Sequence, residues 1–331
     1  MRAVLVKQPG DAQQLYIGEY PTPVPKSNQV LIKVKCFCLN RMDIVQRQGF
    51  YPPPPGASEI LGVEISGVVD SVGEDVTKFK QGDEVFGLMG GGGYAEYAVM
   101  DERLVISKPK EITFEQAAAI PETWFTAYQA LFLVSQLQKG EDILIHAGAS
   151  GVGIAAIQLA KEAGANRIFI TAGSDEKVEF CKSLGATDGI NYKTQDWAKI
   201  IGEETAGKGV NVVVDFIGKD YFAKNLQIMG FDARMVILAF MSGSTVDEVN
   251  LRLILGKRLR IQGSTLRSRS VEYQAVLRDE VYNHAIKDHF GCAEGKFKIF
   301  IDSVYDWKNI IKATEHMEAN KSMGKIVVHV S

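Results

Sequence analysis

Seven small residues, Ala147-Gly148-Ala149-Ser150-Gly151-Val152-Gly153, carry the strongest chemical signal in the chain. They follow the apolar run Ile143-Leu144-Ile145 and precede Ile154, Ala155, Ile157, Leu159 and Ala160, the pattern of a buried strand, a tight turn and a helix. Gly148 is expected to take turn dihedrals that a Cβ opposes. Gly151 would admit a pyrophosphate, and Gly153 would let the helix close on the strand. A helix starting here presents unpaired N–H groups and the positive end of its dipole, which suits a phosphate. Glycines that merely end a strand are the plainer explanation. Strand, spacing and helix together favour a dinucleotide seat.

A second group follows the next strand, expected over 167–171: Ala172-Gly173-Ser174-Asp175-Glu176-Lys177. Enzymes that use NAD place an acidic residue at this strand end to accept the ribose 2′-hydroxyl. Here Gly173 and Ser174 offer backbone N–H groups and a hydroxyl instead. Lys177, one helical turn on, can meet a 2′-phosphate as a compact point charge. Asp175 stands roughly 20 residues beyond Gly153, so it is open to two readings, the NAD-type acid or the cap of the following helix. The cap is favoured, and with it NADPH.

The elements that must position these groups can be read in order. Residues 1–100 are mostly β, with strands over 2–7, 30–36, 61–72, 84–88 and 94–100, a proline-rich linker over 21–25 and glycine turns between. Such short strands suggest a partly open barrel or sandwich. Thr113 and Gln116 have the spacing of a capping box, with helical patterns over 117–120 and 124–134. From 140 onward, strands over 143–147, 167–171, 189–192, 212–216, 234–239 and 259–263 alternate with helices over 154–163, 175–184, 197–205 and 221–229. Alternation of this kind predicts an α/β, doubly wound parallel sheet with helices on both faces. Helices over 272–285 and 309–320 and a strand over 325–330 end the chain.

Composition narrows the function classes. With 331 residues, 46% of them hydrophobic, the chain can bury a large core in about two domains. A net charge of −3 gives no general reason to bind nucleic acid or an anionic membrane. No apolar run approaches the ~20 residues of a membrane span. The amino terminus reads as a strand and not as a signal peptide, so a cytoplasmic protein is expected. Cys36, Cys38, Cys181 and Cys292 fit reduced thiols. Cys36 and Cys38 share a strand face but are not a CxxC pair, and with no histidine beside them core packing is expected. His146 reads as a satisfied core histidine. His284, His289, His316 and His329 are scattered without ligand spacing.

Leu61-Gly62-Val63-Glu64-Ile65-Ser66-Gly67-Val68-Val69, then Gly82-Asp83-Glu84-Val85, then the 147–153 turn resemble the medium-chain dehydrogenase/reductase superfamily over essentially the whole chain. Asn40-Arg41-Met42-Asp43, Gln46-Arg47-Gln48-Gly49, Tyr51-Pro52-Pro53-Pro54, Ala118-Ala119-Ile120-Pro121 and Met317-Glu318-Ala319-Asn320-Lys321 resemble its zinc-free quinone oxidoreductase, zeta-crystallin-like branch. Within it, residues 146–153 and Thr265-Leu266-Arg267-Ser268-Arg269 are most similar to an animal subgroup induced by a tumour suppressor. The resemblance implies a Rossmann cofactor domain over 121–264 and a mostly β, GroES-like catalytic domain over 1–120 plus 265–331. The zinc alcohol dehydrogenases of the superfamily hold catalytic zinc with a Cys where Asn40 stands and a His where Val63 stands. Asn and Val cannot supply those ligands, so no metal is expected.

The resemblance also distributes roles. Gly173, Ser174 and Lys177, with Tyr192 beside them, match relatives that use NADPH. Asn40 and Thr126 would lie near the nicotinamide, and Gly148, Ser150, Gly151, Val152 and Gly153 at the phosphates. Phe216-Ile217-Gly218 and Phe240-Met241-Ser242 would follow the fourth and fifth strands. Thr265, Leu266, Arg267 and Asn320 would close over the nicotinamide end. Asp215 reads better as a loop hydrogen-bonding residue than as a catalyst. Homodimers form in this family by pairing edge strands, here 259–263, an edge otherwise open to unwanted pairing.

Without a Lewis acid, hydride can still pass to an acceptor that is electron-poor by itself. Quinones and α,β-unsaturated carbonyls qualify, and the expected reaction is NADPH-dependent quinone reduction in a cleft between the domains. Tyr51, in a proline-stiffened loop, is the candidate to hydrogen-bond the carbonyl oxygen, with aromatic packing as its other reading. Asn40 could donate to the same oxygen. Enone or enoyl reduction and a low-turnover NADPH-binding protein remain the alternatives.

Overall fold

The computed structural model describes residues 1–290 and 295–331. Cys292 lies outside the described residues. The chain forms two compact units, 1–125 with 266–331, and 126–265. The first boundary falls inside the helix Pro121–Tyr128.

The first unit is built on a seven-stranded sheet. Its order is Ile301–Asp306, Lys325–His329, Gln29–Cys38, Glu64–Val72, Glu84–Leu88 and Val105–Ser107, with Tyr97–Asp101 also paired to Gln29–Cys38. Every pairing is antiparallel except Ile301–Asp306 with Lys325–His329. Alternation sends Val30, Ile32 and Val34 into a core with Ile65, Val69, Val85, Tyr94, Met100 and Trp307. An irregularity between Val34 and Cys36 turns Cys36 and Cys38 to the opposite face, where they pack with Val327 under Ala118 and Ala119. That helix, Phe114–Ala118, starts at the capping box expected for Thr113 and Gln116. The helix Arg41–Arg47, which the sequence reading passed over, follows Asn40 directly.

The second unit is a six-stranded parallel sheet. Its order is Asp188–Asn191, Arg167–Ala172, Asp142–Ile145, Val210–Asp215, Met229–Ile237 and Arg260–Gly263. The first strand in sequence thus sits third, and the order reverses beside it. The crevice at such a switch point, outside the carboxyl ends of the strands, is where doubly wound sheets bind ligands. Its strands carry continuous apolar runs, with Leu144, Phe169, Ile190, Val213 and Met235 fully buried, because helices cover both faces.

Candidate functional site

The strand Asp142–Ile145 and the helix Gly151–Glu162 are joined by the expected tight turn, with one change in roles. Ala147, at φ +49°, takes the left-handed conformation, and Gly148 does not. Gly148 is small for another reason: a Cβ there would lie 2.9 Å from Cβ of Ile170 on the neighbouring strand. Gly153 is the tightest position, since its Cβ would come within 2.5 Å of the Ala147 carbonyl oxygen. Ser150 caps the helix by accepting a hydrogen bond from Gly153 N at 3.1 Å. Gly151 and Val152 form the first helical positions, so their N–H groups have no partner within the helix.

At the end of the second strand the cap is Ser174, whose Oγ accepts from Lys177 N at 3.3 Å. The expectation that Asp175 caps this helix is therefore corrected. Asp175 is the first helical residue, and its carboxylate accepts from the Asn191 side chain at 2.8 Å. The serine wins because its Oγ reaches back to the third N–H from an extended backbone, whereas Asp175 is already helical. Gly173 lies beneath the Tyr192 hydroxyl, 2.9 Å from where a Cβ would stand, with Lys193 Cε at 3.5 Å. The fold thus brings Tyr192 and Lys193 to Gly173, next to the Ser174 cap of the helix that carries Lys177; the sequence reading had not named Lys193.

The segments after the fourth and fifth strands are tied together. Met241 N donates to Phe216 O at 3.1 Å and Ser242 N to Ile217 O at 2.9 Å, while Ser242 Oγ donates to the same Ile217 oxygen. Asp215 is buried and accepts from Ile217 N and Gly218 N. Burial raises its carboxyl to about 6 against the pull of those donors. Phe240 and Met241 are left exposed on this rim. His146 lies wholly buried between Thr171 Oγ1 at 2.9 Å and Asn225 Oδ1 at 2.8 Å, and burial lowers it to about 4. It is a neutral core histidine. Thr265 holds Gln129 Nε2 through its carbonyl, and Thr126 lies on the helix Pro121–Tyr128.

In the first unit, Asn40 is anchored at both ends of its amide. Its Oδ1 accepts from Lys325 Nζ at 2.7 Å and its Nδ2 donates to Glu64 Oε1 at 2.8 Å. Lys325 and Glu64 pair at 2.7 Å, and Glu64 Oε2 accepts from Glu122 N. An ammonium on one side and a carboxylate on the other leave only one orientation for the amide. Burial alone would lower Lys325, but the Glu64 carboxylate outweighs it and holds the ammonium above its ordinary range. Beside this group Asp43 accepts from Asn40 N, Tyr94 Oη and Gly62 N, and burial raises it to about 6. Sequence reasoning met Glu64 only within the 61–69 motif and did not find Lys325. The one signal was a lysine at the head of the apolar run Ile326-Val327-Val328.

Tyr51 is half-buried, with the Arg267 guanidinium 5.7 Å from its ring centroid. Burial raises its phenol, which the arginine opposes. Arg267 is itself buried, donating to Gly90 O at 2.7 Å and Gln46 Oε1 at 2.8 Å. Leu266 beside it is also buried. Asn320, at φ +55°, accepts from Arg41 Nη2 at 2.5 Å.

A doubly wound dinucleotide-binding sheet with a GroES-like unit and a buried polar cluster defines an oxidoreductase fold of two units. The family model of the alcohol dehydrogenase GroES-like domain matches residues 26–110, and that of the zinc-binding dehydrogenases matches residues 151–280. Human quinone oxidoreductase is 30% identical, covering 99% of this chain and 97% of its own length. The structure of Escherichia coli quinone oxidoreductase complexed with NADPH superposes with a TM-score of 0.88 at 28% identity, each chain fully covered. CurK enoyl reductase superposes at 0.86 with 28% identity, over 100% of this chain and 99% of its own. The chain belongs to the medium-chain dehydrogenase/reductase superfamily, among its quinone oxidoreductases.

Proposed function

We propose that this chain is an NADPH-dependent quinone reductase that needs no catalytic zinc. The observation that carries the reading is the buried set Lys325, Asn40 and Glu64. Asn40 and Val63 stand where zinc-dependent relatives place a thiolate and an imidazole, and here an ammonium lies 2.7 Å from the Asn40 oxygen. A resident ammonium opposes a second cation by simple repulsion. Alcohol oxidation would lack its Lewis acid, whereas reduction of a conjugated acceptor would not need one.

The residues present fit the cofactor. The close approach of Gly153 to the Ala147 carbonyl, the Ser150 cap and the helical N–H groups behind it suit a pyrophosphate. Gly173 under the Tyr192 hydroxyl, with Lys177 and Lys193 near, suits a 2′-phosphate, and Asp175 is committed to Asn191. Thr126, the 216–218 and 240–242 segments, Thr265, Leu266, Arg267 and Asn320 would hold the remainder. When bound, NADPH supplies the hydride.

The protein's own contribution is orientation and exclusion of water. Asn40, fixed by Lys325 and Glu64, keeps one amide N–H for an acceptor oxygen. Tyr51, whose phenol burial raises further, offers its hydroxyl as a second donor. Both would stabilise negative charge developing on that oxygen. The likeness to CurK enoyl reductase favours a second reading, reduction of an enone or enoyl group, which uses the same donors. We further propose a homodimer formed along the strand Arg260–Gly263, the outer strand of its sheet. Among the described residues no helix is long and apolar enough to cross a membrane, which accords with the cytoplasmic location we propose. Steady-state oxidation of NADPH with quinone and enone acceptors tests the reading and ranks the two substrates.

A further inference from the structure

Far along the sequence from one another, Cys36, Glu115 and His329 meet on the sheet face opposite the main core of the first unit. Cys36 and His329 are register partners on adjacent antiparallel strands, so their side chains leave the sheet on the same face. Cys36 Sγ lies 3.5 Å from His329 Nδ1, and His329 Nε2 lies 2.8 Å from Glu115 Oε1. Glu115 is in the first turn of the capped helix Phe114–Ala118, which packs on this face. One ligand atom from each residue falls within 4.8 Å of the other two. Tetrahedral bonds of about 2.0–2.3 Å place ligand atoms about 3.3–3.7 Å apart; Cys36 Sγ and His329 Nδ1 already have that spacing, and the Glu115 carboxylate completes the set by turning from His329 Nε2 towards the sulfur side. Glu115 and His329 are 27% and 43% exposed, whereas Cys36 is wholly buried. The cluster is open to solvent on one side and closed on the other.

We propose that Cys36 Sγ, His329 Nδ1 and the Glu115 carboxylate form a binding site for a divalent cation of the zinc class, with water in the fourth position. A mixed sulfur, nitrogen and oxygen set suits zinc or cobalt(II) and disfavours magnesium or calcium, which take oxygen ligands. When the metal binds, the Cys36 S–H bond breaks, its proton passes to solvent, and the sulfur lone pair forms the metal–sulfur bond; no electron is transferred.

A nucleophilic Cys–His–Glu triad is the competing chemistry for the same three residues, and it fits less well. Burial first, and then the Glu115 carboxylate, push the Cys36 thiol up to about 12, so without a cation it is not a thiolate. A buried sulfur also offers little access to a carbon electrophile, whereas a single ion can enter between the two exposed ligands. Glu115 Oε1 lies 2.8 Å from His329 Nε2 on the exposed side of the cluster, where its carboxylate can meet an entering ion. The site is separate from the Asn40 cluster and joins the final strand, the strand Gln29–Cys38 and the helix Phe114–Ala118. Its role would be to brace that corner.

The test is titration of the full chain, stripped with chelator, by cobalt(II) and then zinc. The wild type should develop one equivalent of tetrahedral cobalt absorption with a thiolate charge-transfer band, which zinc abolishes, and zinc should raise the melting temperature. Cys36→Ser should lose the charge-transfer band. His329→Gln, at a partly exposed position that does not endanger folding, should bind cobalt and zinc about 100-fold more weakly or worse, since even second-shell changes cost 10–100-fold. Absence of a stoichiometric thiolate band in the wild type would overturn the proposal. So would a band that persists unchanged in both variants, which would assign the metal to other thiols.

Discussion

The Lys325 ammonium lies 2.7 Å from the Glu64 carboxylate, and the two side chains are 6% and 0% exposed. An ion pair so deeply buried is weak evidence for stability by itself, because each charge has lost its water. Here it has a second task, since both charges bond the Asn40 amide. Lys325→Met should destabilise the fold by about 3–5 kcal/mol by leaving Glu64 unpaired, measured by denaturant unfolding. Adding Glu64→Gln should return much of that loss. Turnover should stay low in both, because Asn40 is no longer held. Full activity in the double variant would separate Asn40 from its two anchors.

The 2′-phosphate assignment rests on Lys177, Tyr192 and the carboxylate that Asn191 ties up. Lys177→Ala should weaken NADPH about 10- to 150-fold, the range for a lost hydrogen bond to a charged group. NADH should be almost unaffected. Equal loss for both cofactors, measured by fluorescence titration, would move the lysine out of the phosphate site. Lys193→Ala should repeat the pattern more weakly.

Tyr51→Phe isolates the hydroxyl from the ring. With the ring still against Arg267, kcat/KM for a quinone should fall about tenfold while NADPH affinity stays constant. Unchanged kinetics would make Tyr51 a packing residue.

Acid should reveal His146. Its folded value, about 4, is depressed below the ordinary 6.5, so the unfolded state takes up the proton first. The stability of neutral burial is present above about 6.5 and lost as the pH falls towards 4. Asp43 and Asp215, both raised to about 6, work in the opposite direction over the same window and mask the effect in the wild type alone. The difference between wild type and His146→Gln removes them. That difference should fall with acid by at most about 1.4 kcal/mol per pH unit. A flat difference would mean that His146 is not buried neutral.

Residues 143–153 showed in the sequence why strand, turn and helix must follow one another, because a local pattern of apolar and small residues is enough for that. The alternation from 140 onward gave the parallel sheet for the same reason. Local pattern failed where a choice among neighbours depended on geometry. Ala147 rather than Gly148 takes the positive φ, and Ser174 rather than Asp175 caps its helix. It failed completely where contacts span the chain. Nothing near Asn40 announces Lys325, and nothing near Cys36 announces His329, until antiparallel pairing sets the last strand beside the strand Gln29–Cys38. The helix Arg41–Arg47 was missed because its apolar face is only two turns long.

The most direct test of the central claim is the rate of NADPH oxidation with an ortho-quinone by full-length protein dialysed exhaustively against a strong chelator. The account predicts turnover undiminished by the chelator and unchanged when zinc is restored. Activity that disappears with the chelator and returns with zinc, in the wild type and in Cys36→Ser alike, would contradict it.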